Sequence, residues 1–167
     1  MDAVPKVNNM RDDQEQKVIY NSIIAAFLRN DPEIALIISK AVESGFSLDF
    51  GAEEGWTLLH SRVASNDPKG CALLVSLGAN VNIKGKDGRT PFRMACSWGR
   101  LDCAKAFIDA DCDYNLPDNN GRLPLEGLNN WPELRVELLE ASFQKSLRGR
   151  RAETNLSAEE YIARHLS

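Results

Sequence analysis

Histidine is scarce in this chain: only His60 and His165 occur among its 167 residues. Acid–base and nucleophilic catalysis most often use a histidine beside a serine or cysteine, and two isolated bases support no such pairing. The sequence also shows no pattern typical of a metal or cofactor site. We therefore predict that the protein is not an enzyme and has no catalytic residue, no metal site and no cofactor.

Closely spaced cysteine pairs are also missing. The four cysteines, Cys71, Cys96, Cys103 and Cys112, form no Cys-x-x-Cys motif, which removes the commonest zinc and redox signatures. Three of the four lie in apolar, helix-like segments, where cysteine usually serves as a small buried hydrophobe. We predict four reduced thiols, with Cys96 and Cys103 buried, and a cytoplasmic location.

Long apolar runs and an excess of positive charge are absent. No run of eighteen apolar residues occurs, so we predict no membrane span, and residues 1–10 lack the basic-then-apolar pattern of a secretory signal. The chain has 20 lysines and arginines against 24 aspartates and glutamates, a net charge of −4. This balance argues against nucleic acid as a partner and favours a basic protein.

The sequence does contain a regular repeat. Gly55, Gly88 and Gly121 lie at equal intervals and open the similar phrases Gly-Trp-Thr-Leu-Leu-His, Gly-Arg-Thr-Pro-Phe-Arg and Gly-Arg-Leu-Pro-Leu-Glu. A second series, at positions 45, 78 and 111, has the same interval. A fixed period of this length indicates a supersecondary unit that buries its apolar face only by stacking on copies of itself.

Within each unit, apolar positions recur at three- and four-residue steps between turn-forming clusters. This pattern predicts amphipathic helices in pairs. The predicted pairs are 13–28 with 32–43, 57–65 with a helix that ends at Leu77, 90–98 with 101–110, and 123–129 with 132–148. Links rich in glycine, asparagine, aspartate and proline, at 82–88 and 115–121, predict tight projecting turns.

Both ends of the chain lie outside the predicted repeats. Residues 1–12 are polar, and we predict a mobile N-terminal segment there. Residues 149–167 form a predicted linker and a short C-terminal helix at 158–166, which Ser157 and Glu160 start as a capping box. This helix either docks on the last repeat or serves as a partner-binding or self-associating element.

The plan resembles the ankyrin repeat, which has two helices and a projecting turn in each unit. Gly88-Arg-Thr-Pro91 opens the third unit with the family's pattern, and Gly78-Ala-Asn-Val-Asn82 closes the second. The resemblance covers about residues 13–140 as four units, the outer two degenerate, as terminal repeats are. It implies an all-α ankyrin-repeat solenoid over 13–148, with paired antiparallel helices, projecting β-turn or hairpin loops and an extra C-terminal helix.

Three residues depart from the family pattern. Leu58 stands where the family has proline and Arg62 where it has a small alanine, and Leu123 replaces threonine in the fourth unit. His60 matches the family's histidine, and the resemblance implies that it forms hydrogen bonds within the turn of its repeat. We expect the departures to affect the packing of the end units and not the fold.

The resemblance also implies which residues face a partner. It places Trp56, Arg89 and Arg122 in one row beside the turn tips, and Ser97 and Trp98 in the inner groove. The tips themselves are Glu53, Glu54, Lys86, Asp87, Asn119 and Asn120. Tryptophan and arginine dominate interface hot spots. The alternative is that each tryptophan, including Trp131, lies over a neighbouring repeat.

These features predict a module that binds another protein through its concave face and turn tips. A small repeat array of this kind suits an inhibitor, such as an immunity protein that blocks a toxin or an enzyme. We expect a monomer in the free state. Two alternatives remain: a structural or assembly adaptor that self-associates or docks through the C-terminal helix, and an enzyme.

Overall fold

The structure, a computed structural model, describes residues 7–149 together with Ser157 and Ala163. No strand occurs among these residues, and the turn before the second unit contains the 3-10 helix Glu53–Gly55. The helices are α1 (Val7–Leu28), α2 (Ile34–Glu43), α3 (Leu58–Ala64), α4 (Pro68–Ser76), α5 (Pro91–Ser97), α6 (Leu101–Asp109), the 3-10 helix Pro124–Asn130, and α7 (Pro132–Gly149).

The helices stack as pairs, which confirms the predicted all-α ankyrin-type solenoid. Each first helix packs on the second helix of its own unit: α1 on α2, α3 on α4, α5 on α6, and the 3-10 helix Pro124–Asn130 on α7. First helices also contact first helices of the next unit, as in α3 with α5, and second helices contact second helices, as in α4 with α6. Every unit therefore completes its core with side chains from its neighbours.

Local chemistry explains where the helices begin and end. Thr90 caps α5 by accepting a hydrogen bond from the N–H of Arg93 at 3.1 Å, and Asp67 caps α4 through the N–H of Gly70 at 2.8 Å. Gly78 follows α4 with a φ of +94°, a conformation that costs glycine little. The equivalent stops have φ of +99° at position 45 and +57° at position 111, so this series of the repeat marks the helix ends.

One continuous apolar core runs through the stack. Its largest fully buried side chains come from every unit: Ile23, Ile38, Leu58, Leu59, Leu74, Phe92, Met94, Phe107 and Leu138. Cys96 and Cys103 are buried as predicted, and Cys71 and Cys112 are buried as well. None of the helices described is both long and apolar enough to cross a membrane.

The ends of the array differ from the sequence-based boundaries. Helix α1 begins at Val7, so part of the segment predicted at 1–12 is helical. Residues 1–6 lie outside the described residues. The predicted linker and C-terminal helix within 149–167 also lie outside them, apart from Gly149, Ser157 and Ala163.

The first helix of the fourth unit is a 3-10 helix where the pattern predicted an α-helix at 123–129. Gly127 presses against α5 at this point: a Cβ atom there would lie 2.9 Å from the backbone nitrogen of Ser97. The segment then ends directly at Trp131 and Pro132, which leaves no separate inter-helix turn. The close contact and the missing turn favour the tighter helix, which suits short segments.

The arginine in place of the family's alanine is accommodated inside the stack. The Arg62 guanidinium carbon lies 4.2 Å from the centroid of the Phe27 ring, and Nη1 lies 3.5 Å from the Asp67 carboxylate. Arg62 is buried, so its charge is balanced by a carboxylate and an aromatic face. Its long side chain fills space between the first and second units.

Candidate protein-binding face

The three turn tips share one backbone pattern. In each tip, an N–H donates across the turn to a carbonyl further along the chain, at 3.0, 2.9 and 2.9 Å. The pairs are Ala52 with Trp56, Gly85 with Arg89, and Asp118 with Arg122. Because these positions recur with the period of the repeat, the tips project in the same way from successive units.

Hydrogen bonds also join each tip to the next. The N–H of Lys86 donates to the carbonyl of Glu54 at 2.9 Å, and the N–H of Asn119 donates to the carbonyl of Asp87 at 3.1 Å. The Asn119 side-chain amide donates to the carbonyl of Lys86 at 2.7 Å. The structure therefore brings four of the predicted tip residues together in one bonded row.

His60 connects the second and third units behind this row. Its Nε2 lies 3.0 Å from the Arg89 carbonyl, which can only accept, so Nε2 carries the proton. Its Nδ1 then accepts from the Thr57 backbone N–H at 3.2 Å. Burial lowers the pKa of His60, although the Arg89 carbonyl partly opposes this shift. The predicted bonds within the turn are present, and a bond to the next unit is added.

The tryptophans form an aromatic strip across the units. Trp56 is stacked on His60, with ring centroids 6.5 Å apart, and its ring meets that of Trp98 edge to face at 6.1 Å. Trp131 packs against Gly99, where a Cβ atom would lie 3.0 Å from the indole. Trp98 and Trp131 remain 37% and 44% exposed. We name Trp56, Trp98 and Trp131 the tryptophan strip.

An open cleft lies beside this strip, between α1 and α3. Its volume is about 310 Å³, and it lies against one side of Trp56. The other lining residues include Lys17, Tyr20, Asn21, Glu53, Ser61, Ala64 and Ser65. Within this lining, α3 contributes the small side chains of Ser61 and Ala64.

Charged groups on the rim are mostly paired within the protein. Glu53 pairs with Lys17 at 3.4 Å, and Arg89 pairs with Asp87 at 3.1 Å. Arg122 lies 3.7 Å from the buried carboxylate of Asp118, and its own side chain is 57% exposed. The accessible arginines are thus held in place at the tips without being covered.

The carboxylate of Asp118 stabilises the last turn tip through hydrogen bonds to its backbone. It accepts from the N–H groups of Asn120 and Arg122 at 2.9 and 3.1 Å, and lies 3.4 Å from the guanidinium of Arg93. Burial alone would raise the pKa of Asp118. The two N–H groups and the nearby guanidinium groups outweigh burial, so its pKa lies below the ordinary value.

Ser97 contributes to the strip indirectly. Its hydroxyl donates to the carbonyl of Arg93 at 2.9 Å and also accepts from the guanidinium of the same residue. Ser97 is half-buried beside Trp98. Its hydroxyl is already used within the protein, so it supplies a small contact surface more than a free hydrogen-bonding group.

The structure brings together most of the residues that the sequence singled out, and adds one. Trp131 was not among the predicted partner-binding residues, yet it is the most exposed of the three tryptophans. Its separation from Trp98 by one full period of the repeat was the signal that could have identified it. Among the residues described, no three His, Cys, Asp or Glu side chains come together as metal ligands.

Curated relatives match part of the chain. Mouse protein phosphatase 1 regulatory subunit 27 is 35% identical over 78 residues, which cover 47% of this chain and 51% of the relative. Mouse protein phosphatase 1 regulatory subunit 12A is 34% identical over 71 residues, 42% of this chain and 7% of the relative. The chain therefore spans about half or less of the length of these relatives.

Solved structures and a family model agree on the fold. The crystal structure of the ankyrin repeat domain of Bcl-3, a member of the IκB protein family, matches with a TM-score of 0.61 at 20% identity. The match covers 72% of this chain and 50% of that one. The family model "Ankyrin repeats (3 copies)" matches residues 22–118, more than half of the chain. The chain belongs to the ankyrin-repeat family, a generally non-enzymatic scaffold whose repeats mediate protein–protein interaction.

Proposed function

We propose that this chain binds a partner protein through the tryptophan strip and the row of turn tips, and thereby blocks that partner. The partner is an enzyme or a toxin, and the chain acts as a small inhibitor or immunity protein. A preformed surface loses little conformational entropy on binding, which favours tight occlusion.

The exposed tryptophan strip is the observation that carries this proposal. Exposed tryptophan is uncommon on a protein surface unless a partner covers it, and tryptophan and arginine dominate the energetics of interfaces. Trp98 and Trp131 expose large parts of their rings, and Arg89 and Arg122 stand on the tips of the same units.

Two further facts support a regulatory role. Relatives at 34–35% identity are named as regulatory subunits of protein phosphatase 1, and we extend the idea of regulation through binding to this chain. The net charge of −4 favours a basic partner through long-range attraction. Four buried thiols fit a reducing compartment, so we place this binding in the cytoplasm.

The test uses Trp98→Ala in the full chain, with Leu36→Ala as the control. Leu36 is 47% exposed on α2, away from the strip. The partner is captured from the source cells with the wild-type chain, identified by mass spectrometry and purified. Truncating a hot-spot tryptophan costs at least about 2 kcal/mol. Trp98→Ala should therefore weaken binding at least tenfold, and Leu36→Ala should leave it unchanged.

Circular dichroism must show that both variants keep their helices. The purified partner's own activity should fall when the wild-type chain is added and recover with Trp98→Ala. If Trp98→Ala binds as tightly as wild type while deletion of residues 150–167 abolishes binding, the tail is the binding element and the proposal is wrong. Light scattering that shows self-association through the same tail would favour an assembly adaptor.

A further inference from the structure

The open cleft between α1 and α3 has the chemistry of a binding site for a cationic side chain. Building on the proposed function, we infer that this cleft takes one arginine side chain of the partner protein. The Glu53 carboxylate binds its guanidinium group, and the Trp56 ring packs against it. The cleft has a volume of about 310 Å³, at the small end of the range for ligand pockets, which suits one long side chain.

The lining of the cleft combines hydrogen-bond acceptors with aromatic rings. Its polar side chains other than Lys17 can all accept hydrogen bonds, and they include Asn21, Glu53, Ser61 and Ser65. Tyr20 and Trp56 supply the rings. A guanidinium group carries five N–H donors and no acceptor, and it also packs on aromatic faces. Arginine therefore matches both kinds of surface.

Glu53 keeps most of its binding capacity in the free protein. Its side chain is 86% exposed, and its Oε1 atom lies 3.4 Å from the Lys17 ammonium group. Strong bonds between unlike charges are about 2.7–2.9 Å long, and exposed pairs contribute little. No described residue donates a hydrogen bond to the Oε2 atom. The carboxylate can therefore accept two parallel N–H bonds from an arginine.

Glu54 adds a second carboxylate next to the cleft. Its φ is +57°, a left-handed conformation that neither Asp87 nor Asn120 adopts at the equivalent positions of the later tips. Glycine and asparagine adopt this conformation more readily, and strained residues concentrate at functional sites. The Asp87 carboxylate is bound by the N–H and the guanidinium of Arg89. Glu54 is exposed and has no such partner among the described residues, so its charge remains available to a ligand.

Lys17 competes for the same carboxylate. It is the one cation among the described residues that line the cleft, and Glu53 and Glu54 together outnumber it. The arginine of a partner balances this excess of negative charge. The Lys17 side chain is 43% exposed, so it can turn to solvent when a guanidinium group replaces it. The planar fork of arginine pairs with a carboxylate better than the strongly hydrated ammonium group does.

Trp56 is already fixed in the free protein. Its ring is stacked on His60 with centroids 6.5 Å apart and meets the Trp98 ring edge to face at 6.1 Å. A cation within about 6 Å of a ring centroid is attracted by the ring. Because the indole is held by these neighbours, it loses little freedom when a guanidinium group packs against it.

NMR titration of the isotope-labelled full chain tests this inference, with N-acetyl-arginine amide as the probe. N-acetyl-citrulline amide is the matched control, because its urea group has nearly the shape of a guanidinium group and no charge. N-acetyl-lysine amide keeps the charge and lacks the planar fork. The indole N–H of Trp56 reports on the cleft, and that of Trp131, which does not line the cleft, serves as an internal reference.

We expect the arginine compound to shift the Trp56 indole signal and the backbone amides of Lys17 and Glu53 in a saturable way. The Trp131 signal should stay in place. The citrulline compound should cause no shift at any of these groups. The lysine compound should bind at least threefold more weakly than the arginine compound, because it cannot form two parallel bonds.

Two pairs of variants assign the charges. Glu53→Gln should weaken binding of the arginine compound at least threefold, whereas Glu43→Gln, which removes the same charge from an exposed site on α2, should not. Lys17→Met should strengthen binding about two- to fivefold, because an exposed ion pair no longer has to break. Lys40→Met, also exposed on α2, should leave it unchanged. A loss of fold cannot imitate the gain in Lys17→Met.

The inference is wrong if the citrulline compound binds as tightly as the arginine compound. It is also wrong if the arginine compound leaves the Trp56 signal in place, or if Glu53→Gln or Lys17→Met does not change the affinity. The captured partner separates this result from the proposed function. If Trp98→Ala weakens binding of the partner and Glu53→Gln does not, the strip is the binding face and the arginine inference fails. If only Glu53→Gln weakens it, the cleft is the site and the strip is not.

Binding of the partner that depends on both residues supports both proposals.

Discussion

His60 shows how one side chain serves both the stack and the surface. Its ring nitrogens bond to Thr57 in its own unit and to the Arg89 carbonyl in the next. Its face supports Trp56, which in turn meets Trp98. The orientation of the exposed strip thus depends on a buried, neutral imidazole.

This imidazole should make stability depend on pH. The pKa of His60 is lowered in the folded state from an unfolded value near 6.5, chiefly by burial. Between these two pKa values the unfolded chain binds more protons than the folded protein does. The contribution of His60 to the free energy of unfolding is therefore fully present above about pH 6.5 and is lost as the pH falls. The decrease cannot exceed about 1.4 kcal/mol per pH unit for one group. Urea unfolding at pH values from 7.5 to 5.5 measures it.

His165→Gln is the matched control for this measurement, since it removes the only other histidine. It should keep the full decrease, and His60→Asn should lose most of it, although His60→Asn starts from a lower stability. A decrease that disappears in His165→Gln and persists in His60→Asn would contradict the assignment to His60.

At the scale of helices, Gly127 allows a close approach to α5 that any amino acid with a Cβ atom at this position would prevent. A Cβ atom at this position would lie 2.9 Å from the backbone nitrogen of Ser97, too close for a real contact. Gly127→Ala should therefore force the 3-10 helix Pro124–Asn130 away from α5. Such overpacking costs about 1–3 kcal/mol, and a lower midpoint in thermal or urea unfolding reports it.

Gly85→Ala serves as the comparison. A Cβ atom at Gly85 would meet its neighbours at 3.4 Å or more, which is ordinary contact distance. Its φ lies outside the left-handed region, so alanine fits and should change stability by less than about 1 kcal/mol. Equal losses in the two variants would show that the close approach at Gly127 is not the cause.

The helices themselves were largely predictable, because the period of the repeat carries their starts and stops. The predictions that differ from the structure concern the start of α1 and the helix type in the fourth unit. At both places the period of the repeat does not determine the local structure. Val7–Asp12 contains few apolar residues, so the helical pattern begins only later in α1. The fourth unit was expected to repeat an α-helix. Its 3-10 form goes with the missing inter-helix turn and with the close approach of Gly127 to Ser97. The second cause belongs to the preceding unit and leaves no local signal.

The candidate site was predictable as a row but not as a set of contacts. The period placed Trp56, Arg89 and Arg122 in equivalent positions. It could not show that Arg122 shares the buried Asp118 carboxylate with Arg93, because that arrangement joins two units through side chains. Trp131 was left out of the row because a tryptophan there can lie over a neighbouring repeat. Its indole does pack on Gly99 of the preceding unit, yet 44% of the residue stays exposed.

At the scale of the whole molecule, stability should fall from the centre of the stack toward its ends. Units with neighbours on both sides bury both faces, whereas end units bury one. Amide hydrogens of α3, α4, α5 and α6 should therefore exchange more slowly than those in the first half of α1 and the last turns of α7. Native-state hydrogen exchange measured by NMR or mass spectrometry tests this order. Equal or greater protection at both ends would contradict it.

The bonded row of tips has a consequence for how the protein can diversify. The bonds from Lys86 to Glu54 and from Asn119 to Asp87 join backbone to backbone, so they do not depend on which side chains stand there. Lys86 can therefore be exchanged for other residues while these links persist, whereas the Asp87 carboxylate also accepts the Arg89 N–H within the turn, at 3.0 Å. Backbone atoms hold the row of tips together, whereas side-chain atoms are what a partner contacts. New partner preferences can arise at the tips while the architecture stays the same.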